Sequence, residues 1–410
     1  MRQILSNSFR FSEPDDIARA QVVEHLQSSL GNQSHRQGYE TWACAWAPDY
    51  SYFAWSCGNR IVQLLPWNRS ANCIQDDQEC HETRQTLTID CGELVWSVAF
   101  GSGTSKTDNA HVWTRLKLDH NLILATGLQS GRIKLWNCGT ESEWHLLLEL
   151  LDHKDVVRDM DFAPDGSLHL VSASRDGTLK LWDLNMDGNM YRTLRPQCKW
   201  VYSCSWSPNK KFIASSGNYK CVVLWDVEDP YDMKVLRKLE GHYHDVVCCE
   251  FSPDSALLAT ASYDTRVIVW DPYTGDSLRE FGHLFPPPRP IYAGGANDHY
   301  VRSVSLAGDG GHIASVSDDG YVRFWDLHTL GDPPVISENT NALCCAYSPG
   351  GAVLAVGTRN GEVTFYRSDR EVTSLLHLTR MKIRKNLPTP KIDHLSIPIK
   401  LKEFLKYHDV

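Results

Sequence analysis

The sequence predicts an all-β fold, built from seven copies of one small antiparallel sheet and followed by a short helical tail. Three observations carry that expectation. First, tryptophan recurs in register. Trp136, Trp182, Trp225, Trp270 and Trp325 close the runs RIKLW, TLKLW, CVVLW, RVIVW and YVRFW, at spacings of 46, 43, 45 and 55 residues. Tyr366 closes a further run, EVTFY, 41 residues on, and a degenerate copy, RIVQLLPW, ends at Trp67. A repeat of this period marks units that bury one another's faces by stacking. Second, apolar and small residues alternate with period two between Pro, Asp and Gly turns, which indicates β-hairpins. Third, the period changes after Ser374 to one that fits helices.

Within each unit the order is constant. An alternating strand comes first (WACAW, WSVAF, VRDMDF, VYSCSW, VCCEF, VRSVSL, LCCAY), then a turn such as APDG at 163–166, SPDS at 252–255 or SPGG at 348–351. A second strand follows (LHLVSAS, FIASSG, LLATAS, HIASVS), then a polar turn and the tryptophan strand.

These units resemble WD40 repeats. WD dipeptides stand at 182–183, 225–226, 270–271 and 325–326, a GH pair at Gly241-His242, and a partial form at Asp152-His153. The resemblance implies a β-propeller of four-stranded blades around a channel, here with seven blades over residues 39–370. It also implies a hydrogen-bonded set of His, strand hydroxyl, turn Asp and Trp. His242, Ser262, Asp264 and Trp270 match that set best, then His153, Ser174, Asp176 and Trp182, with Asp319 and Trp325 keeping part of it. These are structural residues. The last blade shows no outer strand of its own, so residues 1–38 are expected to supply one and close the ring.

Three insertions interrupt the period. Residues 68–90 are polar and acidic; Cys73, Cys80 and His81 there lack a second ligand pair, so a solvated loop is preferred to a zinc site. Residues 101–121 form a second loop. Residues 282–300 carry Pro286 to Pro290, which suit an extended polyproline segment, read as a rigid loop over the rim in preference to an SH3-type ligand.

Bulk properties narrow the function. The 410 residues carry a net charge of −9, with 42% hydrophobic and 22% charged residues, as in soluble globular proteins. No apolar run reaches membrane-spanning length, and the first residues lack a signal-peptide core. The thirteen cysteines are an odd number, several of them inside strands, and read as reduced thiols of a cytoplasmic or nuclear protein. No phosphate loop, HExxH or nucleophile elbow is present. The chain is therefore expected to be neither an enzyme nor a cofactor protein.

The tail is of opposite character to the rest. Ser374–Tyr407 holds eight Lys/Arg against Asp393 and Glu403, so the remainder of the chain sums to −15. Its Leu, Ile and Phe are interleaved with the basic residues, unlike a nucleic-acid arm with stacking aromatics. Leu375, Thr379 and Ile383 fall on one face of a helix that Ser374 can cap, with Leu376 and Leu378 nearby. Arg380, Lys382, Arg384 and Lys385 lie toward its C-terminal end, where positive charge suits the helix dipole. Leu387-Pro388-Thr389-Pro390 breaks that helix. A second begins near Pro398 with Leu401, Phe404 and Leu405 on its face. Helices this short need a partner surface.

This tail resembles a SOCS box: Leu375-x-x-x-Thr379-x-x-x-Ile383, a linker, Leu395-Ser396-Ile397-Pro398, and a last helix. Propeller plus terminal box (371–410) is the layout of the WD-repeat and SOCS-box family, and the loop at 282–300 resembles its first member more than its second. The resemblance implies a non-catalytic substrate receptor of a cullin–RING ubiquitin ligase. Leu375, Leu378, Thr379 and Ile383 would bind elongin C of elongin B–C. Leu395, Ile397, Pro398, Leu401, Phe404 and Leu405 would select cullin-5 with its RING-box subunit, and the propeller would hold a protein client. Kinship points to a thyroid hormone deiodinase as one client. Two positions depart from the box pattern: Thr379 replaces a cysteine and Ser396 a proline. The rival reading is a plain propeller scaffold whose tail packs on itself. A receptor for the other large cullin adaptor system would favour WDxR, but the fourth residues here are Asn185, Glu228, Tyr273 and His328. Client contacts are expected on the channel face near the starts of the first strands, at Arg158, Trp200, Asp245 and His299. The acidic loops suggest a client with basic features.

Overall fold

In the computed structural model, residues 18–26, 40–58, 60–67, 86–102, 122–138, 143–229, 232–282, 300–327, 333, 335–339, 341–368 and 374–408 are described. Seven sheets follow one another along the chain: six have four consecutive antiparallel strands, the sixth gaining a fifth from the N-terminal segment, and the seventh has three, its fourth strand coming from that same segment. The fold is a seven-bladed β-propeller. Blade three is representative, running Val157–Phe162, His169–Ser174, Leu179–Asp183 and Asn189–Leu194 from the inside out. Each blade offers two apolar faces, and neighbouring blades cover them. Val171, Leu179 and Leu181 of blade three pack with Trp206, Ile213 and Trp225 of blade four.

The N-terminal segment enters the ring twice. Val22–Leu26 pairs antiparallel with Val363–Arg367 as the outer strand of blade seven. Ala18–Arg19 pairs in parallel with Val335–Ile336 at the edge of blade six. The ring is thus joined by strands from opposite ends of the chain, and Trp46 of blade one donates its indole N–H to Ala346 O of blade seven at 3.0 Å. Leu87–Asp90 forms the fourth strand of blade one, so the polar insertion expected over 68–90 ends before it. Cys73, Cys80, His81 and Pro286 to Pro290 lie outside the described residues.

Around the channel the inner strands have an open edge whose N–H groups need acceptors. Side chains of the preceding blade supply them. Asp159 Oδ2 accepts from Cys204 N–H at 3.0 Å, Ser203 Oγ from Cys249 N–H at 3.2 Å, and Glu250 Oε2 from Leu306 N–H at 3.1 Å. Burial pushes the carboxyls of Asp159, Asp161 and Glu250 up to about 6, 7 and 8.

The hydroxyl in the blade signature differs from the expected one. His242 Nδ1 meets Asp264 Oδ2 at 2.9 Å, while Thr260 Oγ1 meets both His242 Nε2 at 2.8 Å and the Trp270 indole N–H at 2.9 Å. Ser262, two residues on, instead accepts from Asp264 N–H in the turn. Blade three repeats the pattern with His153, Asp176, Trp182 and Ser172; Ser174 receives Asp176 N–H. The reason is the pleat. Thr260 and Ser262 share a face, but only Thr260 lies two residue pairs from Trp270 in the ladder, opposite Ile268 and so on the same face, where the indole can reach it. Ser262 sits at the strand's end.

Candidate functional site

The tail folds into three short helices, Leu375–Arg384, Thr389–Ile392 and Ile399–Leu405. Ser374 caps the first by accepting His377 N–H at 3.1 Å. The proline-rich break is itself a helical turn, because Pro390 falls in its first turn, where the missing N–H costs nothing. Pro398 precedes the last helix.

The first helix meets the propeller with its polar side. Arg380 and Arg384 are fully buried, at 0% and 1% exposure. The Arg380 guanidinium lies over the Tyr407 and Phe404 rings, with centroids at 4.0 and 4.4 Å, and donates to Phe404 O at 3.1 Å. It also donates to His377 Nδ1 at 2.8 Å, while His377 Nε2–H donates to Asp309 O at 2.8 Å. That arrangement needs a neutral imidazole; burial, with Arg380 beside it, holds the His377 pKa down. Arg384 donates to Leu387 O at 3.1 Å and to Thr389 Oγ1 at 2.7 Å, and Thr389 passes its own proton toward buried Asp271 Oδ2 at 2.5 Å. Tyr407 donates to Asp254 Oδ2 at 2.6 Å and joins the core beside Leu257, Val269 and Leu327. Gly310 matters here: a Cβ at this position would come within 2.9 Å of Met381, and its φ of +67° already favours glycine.

The apolar side faces outward. Leu375 is 81% exposed, and Leu376, Leu378 and Ile383 are exposed too. Thr379 lies among them, its hydroxyl bonded back to Leu375 O at 2.7 Å. In the last helix Ile399 is 76% exposed and Leu401 exposed, but Leu405 is buried and Phe404 lies under Arg380. The face expected to hold Leu401, Phe404 and Leu405 together is therefore split: Leu401 points out with Pro398 and Ile399, and Leu405 belongs to the fold. Leu395 and Ile397 are half-buried between them.

Sequence reasoning missed the docking set of His377, Arg380, Arg384, Thr389, Ile392 and Tyr407. In the sequence the two arginines point only to the helix dipole. Their spacing of four residues was the available signal, since it places both on one face.

Asp254, Asp271 and Asp309 lie in turns from the first strand to the second or from the third to the fourth. Antiparallel order puts all such turns at one end of the blades, so the tail occupies that end. The starts of the inner strands lie at the other. Arg158, Trp200 and Asp245 stand there, and His299 lies outside the described residues. Arg158 packs over Trp96 and Trp42, at 4.6 and 5.6 Å from the ring centroids. Trp200 carries Arg175 and Lys199 at 4.9 and 4.6 Å. Asp245 accepts from the Asn218 amide at 2.8 Å. Among the described residues no cluster of His, Cys, Asp and Glu could hold a metal, and no helix is long and apolar enough to cross a membrane.

A propeller with a docked helical box at one end and an aromatic, cationic surface at the other defines a recognition adaptor. The WD domain, G-beta repeat model matches residues 144–183, 188–226, 233–271 and 290–326, and the SOCS box model residues 371–406. WD repeat and SOCS box-containing protein 1 of Homo sapiens is 50% identical, covering 96% of this chain and 97% of its own. Its Danio rerio and Xenopus tropicalis counterparts are 49% and 48% identical over 96% and 97% of this chain, and 97% and 98% of their own. The chain belongs to the WD repeat and SOCS box-containing family. That architecture is the substrate-receptor type associated with ubiquitin ligases.

Proposed function

We propose that this chain is the client-recognition subunit of an elongin B–C/cullin-5 RING ubiquitin ligase. Leu375, Leu378, Thr379 and Ile383 form the elongin contact. Leu395, Ile397, Pro398 and Leu401 bias the choice of cullin-5 with its RING-box subunit, and a protein client, of which a thyroid hormone deiodinase is one candidate, sits at the far end of the propeller. The chain does no chemistry itself; it raises the concentration of client lysines near a charged conjugating enzyme.

One observation carries this reading. A tail that merely packed on its own propeller would bury its leucines and expose its arginines. Here Arg380 and Arg384 are buried while Leu375, Leu376, Leu378 and Ile383 stay in water. Covering such side chains is worth roughly 1.5–3 kcal/mol each on full burial, so the leucine face is built for another protein.

The test is a titration of the full-length chain against purified elongin B–C, with Leu375→Ala as control. Saturable binding that Leu375→Ala weakens at least tenfold supports the proposal. No binding at tens of micromolar overturns it in favour of a scaffold without ligase engagement.

A further inference from the structure

We infer that the end of the propeller opposite the box takes an acidic peptide segment of the client, with the Arg158 guanidinium as the anchor for a carboxylate. This rests on the receptor reading above and adds the chemical class of the client's recognised segment.

The argument starts from an imbalance between two sectors of that surface. On the side of blades five to seven the cations are already neutralised. Arg302 makes a forked pair with Asp318 at 2.5–3.0 Å, and Arg359 reaches the same carboxylate at 3.4 Å. On the side of blades two to four they are not. Arg158 keeps part of its surface open at the channel mouth but is otherwise ringed by protein, and its Nε has no hydrogen-bond partner. Among the described residues no carboxylate forms an ion pair with Arg158, Arg175 or Lys199. The neighbouring acids are engaged elsewhere: Asp159 accepts from Ser203 and Cys204 of the next blade, and Asp245 from Asn218.

What holds the three cations is aromatic. Trp42, Trp96 and Tyr202 surround Arg158, and Trp200 carries Arg175 and Lys199. Cation–π contact fixes a guanidinium in place while leaving its N–H edge free for a planar anion. Arg175 also lies close enough to push the Arg158 pKa further down, beyond the effect of burial, a strain that an incoming carboxylate relieves. Partly exposed Trp and Arg side chains together are the usual energetic centre of a protein interface. The acidic loops suggest a basic client; the cluster of Arg158, Arg175 and Lys199 favours the opposite sign. A nucleic acid shares the taste for Arg and Trp, but a chain of net charge −9 repels a long polyanion, whereas a short peptide meets only the local field.

The experiment is selection of the full-length chain against two phage-displayed libraries of random dodecapeptides, one displayed with free C-termini and one internally. Binders are then made as synthetic peptides and titrated. The expected result is enrichment of Asp and Glu, or of a free terminal carboxylate, the two libraries telling side-chain from terminal carboxylates. Selected peptides should weaken roughly 10–100-fold on Arg158→Gln, the equivalent of losing one charge-assisted hydrogen bond, and a few-fold on Arg175→Gln, with Arg158→Lys in between. Should Arg158→Gln fail to fold, the Arg175→Gln/Lys199→Gln double variant decides by the same titration. Enrichment of Lys and Arg, no enrichment, acidic binders indifferent to these substitutions, or displacement by oligouridine each overturn the inference. Elongin B–C binding of the same preparation is measured in parallel, so loss of the peptide site and loss of the receptor reading appear as separate results.

Discussion

Replacing Arg384 by Met tests whether two buried cations are what fix the box to the propeller. Met keeps most of the stem volume and removes the guanidinium. The loss comprises the hydrogen bonds to Leu387 O and Thr389 Oγ1 and the nearby charge facing Asp271, whose Oδ2 lies 3.9 Å from Nη2. Asp271 is 1% exposed, and its remaining partners are Thr389 Oγ1 and the N–H groups of Tyr273 and Thr274. Breaking one partner of a buried ionic network costs about 3–5 kcal/mol. The tail helices have 10, 4 and 7 residues, too few to persist alone, so this cost falls on local opening of the box. Amide hydrogen exchange over 374–408 should accelerate about a hundred- to a few-thousandfold, while the inner strands of the propeller keep their protection. Elongin B–C affinity should fall as well, since the exposed leucine face then has to be folded on binding. Unchanged exchange in the tail of a folded Arg384→Met variant would refute the claim that the arginines dock it.

Three further expectations follow from specific contacts. Thr260→Val removes the hydroxyl shared by His242 and Trp270 and should cost about 2–4 kcal/mol by chemical denaturation, since two buried groups lose a partner; Ser262→Ala should cost about 1 kcal/mol or less, and equal costs would contradict the assignment of Thr260. Glu250 titrates near 8 in the fold because of burial, against about 4.3 in the unfolded chain. Its contribution is therefore fully present below pH ~4 and lost as pH rises through about 8, so the melting-temperature advantage of Glu250→Gln should grow from pH 5 to pH 9, and a pH-independent difference would count against it. Thr379→Cys should bind elongin B–C more tightly, but by no more than about tenfold, because the hydroxyl is already satisfied by Leu375 O; equal affinities would show the hydroxyl to be harmless.

How much was legible in advance differs between the parts. The Trp spacing and the period-two strands determine the propeller, because each blade is a local unit whose apolar pattern has only one use: stacking on a neighbour. The order of motifs in the tail likewise marks the box. What the linear pattern could not assign is which hydroxyl completes the blade signature, since Ser262 and Thr260 share a face and only the ladder register places one of them under Trp270. Nor could it assign the two sides of the first tail helix. Read alone, a helix with leucines on one face and arginines on the other turns its leucines inward. Tertiary structure reverses that, because the carbonyls of Phe404 and Leu387, the Thr389 hydroxyl held by Asp271, and the rings of Phe404 and Tyr407 converge on the arginines, while Asp254 and Asp309 O fix Tyr407 and His377 beside them. The sequence by itself determined that the tail must be covered; only the folded molecule decided which face is already covered and which is left for a partner. The physical reason is that burying a cation is favourable only where oxygens and aromatic faces converge on it, and that convergence exists only in the closed ring.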